Sequence, residues 1–225
     1  MKEILEDLHS KIKEISPNAR LMAVSKTHPY SAVEEAYNLG ERLFGENRVQ
    51  EIEAKFPKIS ERPKDMDVHL IGHLQSNKVK KAVELVNSID SVDSLKLLRL
   101  INKRALEANL VMNVLLEYNT SGEESKSGFE NYESIKEALL ESKNLSNIKV
   151  NGLMTIGPLG ASDEEIKDAF TFLRNLSIKL SDEIEVELKE LSMGMSGDYE
   201  IALECGSTMI RVGSKIFGQR DYSKK

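Results

Sequence analysis

Short runs of β-branched and apolar residues alternate along the chain with longer stretches in which apolar residues recur every three or four positions. The short runs predict β-strands, and the longer stretches predict helices that bury one face. A leading helix has its apolar face at Ile4, Leu5, Leu8, Ile12 and Ile15. The strands that we predict after it span residues 21–26, 42–46, 68–72, 88–92, 113–118, 150–154, 190–193 and 209–213.

Eight strand–helix units follow the leading helix, and this alternation predicts the fold. It is typical of a parallel sheet covered by helices, and eight such units close on themselves in the commonest barrel of this class. We therefore predict an α/β protein, a single (β/α)8 TIM barrel with an extra N-terminal helix. An open doubly wound sheet is the alternative. No linker divides the chain, so the predicted domain spans residues 1–225.

Two of the predicted helices begin with the sequence pattern of a capping box, in which a serine is followed three residues later by a glutamate. Ser162 and Glu165 begin the sixth of the helices that follow strands. Ser31 and Glu34 begin the first of them, and Gly40 is predicted to end it.

Composition and charge exclude several classes of function. The net charge of -6 argues against broad, non-specific binding of nucleic acid, which requires a basic surface. No apolar run approaches the roughly 18 residues of a membrane span, so we expect no membrane insertion. The single cysteine, Cys205, excludes an internal disulfide, and we expect a buried thiol and a cytoplasmic protein.

Polar residues and glycines follow the predicted strands, at the end of the barrel where active sites lie. They are Lys26, Asn47, His73, Gln75, Asn119, Ser196, Gly213 and Ser214. The loops after strands seven and eight often bind phosphate in such barrels, and a hydroxyl with backbone N–H groups suits an anion. The alternative is that these glycines are ordinary turn residues.

Lys26 and Arg211 are the two charged candidates in this region. A desolvated lysine has a lowered pKa and reacts with aldehydes, whereas the alternative for Lys26 is a solvated side chain at a strand end. Arg211 lies two residues before Gly213, so strand alternation points both the same way, which would place the guanidinium inside the barrel beside the loop after strand eight. The alternative for Arg211 is an inward arginine paired with a carboxylate.

Two histidines raise the question of a metal site. His69 and His73 are four residues apart, but no cysteine or carboxylate completes a recognisable set of ligands with them. We therefore predict that the protein has no metal site.

Several segments together resemble one known family, the pyridoxal phosphate homeostasis proteins (the YggS or PROSC family), which is similar to the N-terminal barrel of alanine racemase. The segments include AVSKT at 23–27, FGEN at 44–47 and HLIGHLQSNK at 69–78. Others lie at 91–94, 123–128, 152–156, 191–197 and 206–218. They cover nearly the whole chain in the same order. Val68 departs from the pattern, because many relatives have tryptophan there.

The resemblance implies pyridoxal 5′-phosphate (PLP) as the cofactor and assigns a role to each matching residue. Lys26 would hold PLP as a Schiff base, and Asn47 would lie near its ring. Ser196 and the backbone of Gly213 and Ser214 would hold the phosphate. Arg211, the sixth cofactor-binding residue, would face the pyridine nitrogen.

The resemblance also favours a non-catalytic carrier in vitamin B6 homeostasis. An arginine beside the ring nitrogen disfavours its protonation and weakens the ring as an electron sink. The chain also has no room for the second domain that supplies a catalytic base in alanine racemase, so we expect a monomer. The alternatives are a slow PLP-dependent racemase or decarboxylase, and a phosphate-binding enzyme without PLP. PLP-dependent apoenzymes are the expected recipients.

Overall fold

The computed structural model describes residues 1–123 and 126–218 of the chain. Glu124 and Ser125, within the segment 123–128 of the resemblance, lie outside the described residues. So do residues 219–225, the last part of the predicted domain.

The described residues form eight strands and nine α-helices in strict alternation after the first helix. The strands are β1 (Arg20–Val24), β2 (Leu43–Glu46), β3 (Asp67–Leu70), β4 (Ser88–Val92), β5 (Met112–Glu117), β6 (Ile148–Met154), β7 (Glu190–Met195) and β8 (Met209–Val212). The helices are α1 (Lys2–Ile15), α2 (Tyr30–Asn38), α3 (Val49–Lys55), α4 (Val79–Leu85), α5 (Leu95–Glu107), α6 (Tyr132–Ser142), α7 (Asp163–Ile184), α8 (Tyr199–Glu204) and α9 (Ser214–Phe217). Two short 3-10 turns lie at Ile59–Glu61 and Ser76–Lys78.

The strands close into a barrel in chain order. Every neighbouring pair is parallel, and β1 pairs with β8 through Arg20 and Met209. The prediction of a TIM barrel with an extra N-terminal helix is therefore confirmed, and the open sheet is excluded. The extra helix, α1, packs beside α8, α9 and β1 in the outer layer.

Side chains of β1 alternate between the barrel interior and the outer helical layer, as a strand requires. Met22 and Val24 pack in a small cluster with Leu43 and Met209. Leu21 and the other alternate residues of β1 belong to the large core between the strands and the helices. Lys26, in the turn after β1, lines a cavity at the C-terminal end of the barrel.

Of the two predicted capping boxes, one is confirmed and the other is wrong. The Ser162 hydroxyl accepts from the Glu165 N–H, and the Glu165 carboxylate accepts in return, so the capping box of α7 is confirmed. The capping box predicted for Ser31 and Glu34 is wrong: α2 begins at Tyr30, after Pro29, and has no side-chain cap. The extended backbone of Pro29 starts the helix two residues earlier than the pattern predicts.

Strand limits differ from the predictions by up to two residues. β1 ends at Val24, so Lys26 lies in the following turn and does not end the strand as predicted. The count of eight units includes a helix after β8, but no bounds were predicted for it, because the four-residue helix α9 is too short to show a helical repeat. Within residues 1–123 and 126–218, no helix is long and apolar enough to cross a bilayer.

Candidate functional site

The largest concentration of predicted site residues surrounds one cavity at the C-terminal end of the barrel. The cavity has a volume of about 250 Å³. All six predicted cofactor-binding residues line it: Lys26, Asn47, Ser196, Arg211, Gly213 and Ser214. They come from the ends of β1, β2, β7 and β8, which closure of the barrel makes neighbours. The structure thus brings the predicted residues together, and their roles remain predictions.

Lys26 lies in a tight turn directly after β1. The His28 N–H donates to the Ser25 carbonyl with 3.0 Å between nitrogen and oxygen, which closes the turn around Lys26 and Thr27. Thr27 has a φ of 68°, in the left-handed region. Ser25 is fully buried, whereas Lys26 is only partly buried. The turn therefore places the lysine side chain at the wall of the cavity.

Arg211 is an inward-facing arginine, as strand alternation predicts. Its guanidinium donates to the Ser192 hydroxyl and to the Thr155 carbonyl, each at 2.7 Å. Its hydrogen bonds therefore go to neutral acceptors and not to the carboxylate of the alternative interpretation. Burial lowers the pKa of Arg211, while the more distant carboxylates of Asp90, Glu117 and Asp198 oppose that shift. Two directional bonds fix this cation at the cavity.

Ser196 and Gly213 join the loops after β7 and β8. The Gly213 N–H donates to the Ser196 hydroxyl at 3.4 Å. A Cβ atom on Gly213 would lie 2.9 Å from the Val24 carbonyl oxygen, so only glycine fits between the ends of β8 and β1. The close approach brings the backbone N–H groups of residues 213 and 214 to the cavity.

The backbone of Asn47 is approached even more closely by Gly72. A Cβ atom on Gly72 would lie 2.3 Å from the Asn47 carbonyl oxygen, and the Gly72 carbonyl accepts from the Ser91 hydroxyl at 2.7 Å. Gly72 therefore fixes the backbone of Asn47 at the cavity. Sequence reasoning noted the segment that contains Gly72 but not this contact.

The other residues around the cavity were not singled out from the sequence. Val24, Ile71, Ile156 and Met195 give it an apolar wall. His28 also lines it, and burial together with the positive charge of Lys55 lowers the pKa of this imidazole. The only signal for these residues in the sequence was their position near the ends of predicted strands.

Three polar residues that follow predicted strands do not line this cavity. His73 is exposed and pairs with Asp93 at 3.1 Å, and Gln75 is exposed as well. The Asn119 side chain is used within its own loop, where its amide oxygen accepts from the Ser121 and Gly122 N–H groups.

The two histidines considered as metal ligands have different partners and do not face a common site. His69 is buried and lies 2.8 Å from the Asp90 carboxylate, away from exposed His73. Burial alone would lower the pKa of His69, but Asp90 and Asp67 raise it to about 10. The described residues contain no group of three or more histidine, cysteine, aspartate or glutamate side chains suited to a metal ion.

The arrangement fits a small, phosphorylated aldehyde. Residues with an amine, a hydroxyl and a guanidinium line the cavity together with apolar side chains and with Gly213 and Ser214, whose backbone carries N–H groups. An amine forms a covalent bond with an aldehyde, and the hydroxyl and N–H groups are donors for a phosphate. The cavity volume of about 250 Å³ lies just below the roughly 300–1,000 Å³ typical of ligand pockets, so the cavity suits a small ligand.

Comparisons with known proteins agree in sequence and in fold. Residues 5–221 match the family model described as "Alanine racemase, N-terminal domain". The pyridoxal phosphate homeostasis protein of Aquifex aeolicus is 44% identical over 204 residues, which cover 91% of this chain and 88% of that protein.

Solved structures of PipY from Synechococcus elongatus are similar along almost the whole length of both chains. The structure without PLP has a TM-score of 0.90, and the structure with PLP bound has a TM-score of 0.87. In both cases the identity is 38%, and the match covers 96% of this chain and 99% of PipY. The chain belongs to the pyridoxal phosphate homeostasis protein family, within the group that shares the N-terminal barrel of alanine racemase.

Proposed function

We propose that this chain binds PLP as a Schiff base on Lys26 and acts as a carrier in vitamin B6 homeostasis without substantial catalysis. One observation carries the proposal: a lysine, residues of the loops after β7 and β8 and a buried arginine line the same small cavity. The proposal keeps the cytoplasm as the location and PLP-dependent apoenzymes as the recipients, as the sequence predicts.

The relatives support PLP as the ligand. The Aquifex protein is named for pyridoxal phosphate homeostasis, and PipY was solved with PLP bound. At 44% and 38% identity over nearly the full chain, the same cofactor is the simplest expectation here.

Each residue of the site has a distinct task in the proposal. Lys26 supplies the amine that bonds to the aldehyde, and the turn after β1 directs it inward. The Ser196 hydroxyl and the N–H groups of Gly213 and Ser214 bind the phosphate. When bound, PLP supplies an electrophilic aldehyde and an electron-withdrawing ring.

Arg211 supports a carrier over an enzyme. The proposal places its guanidinium beside the pyridine nitrogen, where a permanent positive charge disfavours protonation of the ring. The bonds to Ser192 and Thr155 keep this cation from turning away. Without ring protonation, charge developing on an amino acid is poorly stabilised, and amino-acid chemistry is slow.

A spectroscopic titration tests the proposal. Apoprotein titrated with PLP is expected to develop the absorbance of a protein-bound imine and to saturate at one equivalent. Lys26→Ala should lose this absorbance, and Lys64→Ala, at an exposed lysine, should retain it. An unchanged spectrum in Lys26→Ala would contradict the assignment.

Adding amino acids to the loaded protein then separates carrier from enzyme. A carrier releases PLP or exchanges its imine in proportion to the protein present. Sustained formation of a D-amino acid or of carbon dioxide would instead support the racemase or decarboxylase alternative.

A further inference from the structure

A buried acid–base cluster lies behind the turn that carries Lys26, on the side of β1 that faces the helices. Lys26 lines the cavity, whereas Ser25 is fully buried on the other side of the turn. Glu46, the last residue of β2, and Lys55, the last residue of α3, meet Ser25 there. Their side chains are 0% and 7% exposed, so this is an ion pair removed from water.

The ion pair holds the residue immediately before Lys26 at two points. The Glu46 carboxylate accepts from the Ser25 hydroxyl at 2.5 Å and from the Lys55 amine at 2.6 Å. The Lys55 amine also donates to the Ser25 carbonyl at 2.8 Å. The hydroxyl and the carbonyl of Ser25 are therefore fixed by the same pair of charges.

The residue immediately after Lys26 is held by the same network. The Thr27 N–H donates to the Glu51 carboxylate, which lies 3.6 Å from the Lys55 amine. Lys55 thus contacts Ser25 directly and connects to Thr27 through Glu51.

The conformation of Thr27 explains why the turn needs such support. Its φ of 68° is unusual for a β-branched residue, and turns of this kind favour glycine or asparagine at that position. A strained backbone persists only where its surroundings impose it. Apolar packing cannot supply directional bonds to a carbonyl and an N–H group, whereas buried charged groups can.

We infer that Glu46, Lys55 and Glu51 are positioning residues, which fix the strained turn and direct the Lys26 amine into the cavity. The inference rests on the proposed function, because reaction of Lys26 with PLP is the process that this positioning serves. In the described part of the chain, the hydrogen bonds of the cluster to the turn go to Ser25 and Thr27, and not to the predicted phosphate loops or Arg211.

The main test is the double variant Glu46→Gln/Lys55→Met, because removing one partner alone would leave a buried charge unpaired. The dissociation constant for PLP is expected to rise about tenfold or more, which corresponds to about 1.4 kcal/mol. The pH at which the imine absorbance titrates should shift. In the apoprotein, the Thr27 amide should exchange with solvent faster. The control is Lys81→Met on α4. It breaks an exposed ion pair with Glu53, which lies on the same helix as Lys55, and it should change none of these quantities.

A rescue variant separates positioning from general stability. Adding Thr27→Gly to the double variant should restore most of the PLP affinity, because glycine adopts the left-handed region without strain. Glu51→Gln, whose side chain is 24% exposed, offers a milder variant if the double variant does not fold. It should also speed exchange of the Thr27 amide and weaken PLP binding.

Two results would overturn the inference, and they differ from failure of the proposed function. The first is a folded double variant, or a Glu51→Gln variant, that matches the wild type in PLP affinity, in the pH at which the imine absorbance titrates and in the exchange rate of the Thr27 amide. The second is a folded triple variant in which Thr27→Gly restores nothing. If borohydride attaches PLP to Lys26 in neither the wild type nor the variants, the proposed function fails first and the inference falls with it.

Discussion

The backbone N–H of Gly213 donates a hydrogen bond to the hydroxyl of Ser196, with 3.4 Å between the two atoms. This bond joins the loops after β7 and β8, the two loops that often bind phosphate in TIM barrels. Both groups can donate to an anion, and they already lie within reach of a single one. We therefore predict that a phosphate group binds beside these two groups, at the C-terminal end of the barrel.

Gly213→Ala should disrupt this region. The new Cβ would lie 2.9 Å from the Val24 carbonyl oxygen, so the ends of β8 and β1 must move apart. We expect PLP affinity to fall about tenfold, as measured by equilibrium titration. Gly40→Ala is the control, because Gly40 lies ahead of β2 at the opposite end of the barrel and a Cβ there meets no atom within 4 Å. Equal affinities in the two variants would contradict the predicted role of the β8 loop.

Glu117→Gln should stabilise the protein at alkaline pH. Burial and the nearby Asp93 raise the pKa of Glu117 from 4.5 to about 7, although Arg211 opposes the shift. Because the folded state binds this proton more tightly, the stabilising contribution is complete below pH 4.5 and is lost as the pH rises through about 7. The glutamine variant does not ionise and should be more stable than the wild type at pH 8, by about 3 kcal/mol.

Urea denaturation at pH 5 and at pH 8 measures this difference. The advantage of Glu117→Gln should shrink at the lower pH, where the wild-type carboxyl is mostly protonated. Glu130→Gln, at an exposed position, should show no such pH dependence. A constant difference between the wild type and Glu117→Gln would rule out ionisation of Glu117 as the cause.

His69 should contribute stability with the same sign of pH dependence as Glu117, because the folded state also favours its protonated form. Asp90 and Asp67 overcome the effect of burial and raise the pKa of His69 from 6.5 to about 10. Its contribution is therefore complete below pH 6.5 and is lost as the pH rises through about 10, by an amount on the order of 4 kcal/mol.

Denaturation of the wild type, His69→Asn and His73→Asn across this range isolates the effect. The alkaline loss of unfolding free energy should be reduced in His69→Asn. It should persist in His73→Asn, because His73 is exposed. Identical pH profiles for all three proteins would show that His69 is not protonated in the folded state.

Most of the fold follows from the sequence, because a parallel barrel needs buried strands and amphipathic helices that both leave periodic patterns. The predicted strand at 88–92 coincides with β4, and the Ser162 capping box is present. Local patterns failed where a neighbour intervened, as at Pro29, which starts α2 ahead of the Ser31 pattern. Helix α9 spans only about one turn, so its apolar positions cannot show a repeat.

The residues that line the candidate site were predictable from the sequence, but the residues that hold the Lys26 turn in place were not. Strand ends and the family resemblance identified Lys26 and Arg211. The network that joins Ser25, Glu46 and Lys55 was not predictable, because its members come from three separate elements. The left-handed backbone of threonine at position 27 also opposes its local preference, so only the folded context can produce it.

Borohydride reduction of the PLP-loaded protein, followed by peptide mass mapping, tests the central claim most directly. Reduction makes the imine permanent, so the modified peptide identifies the lysine that holds the cofactor. We predict one adduct per chain, on the peptide that contains Lys26, and no adduct in Lys26→Ala. An adduct on another lysine of the folded protein, such as Lys78 or Lys126, or an undiminished adduct in Lys26→Ala, would contradict the account.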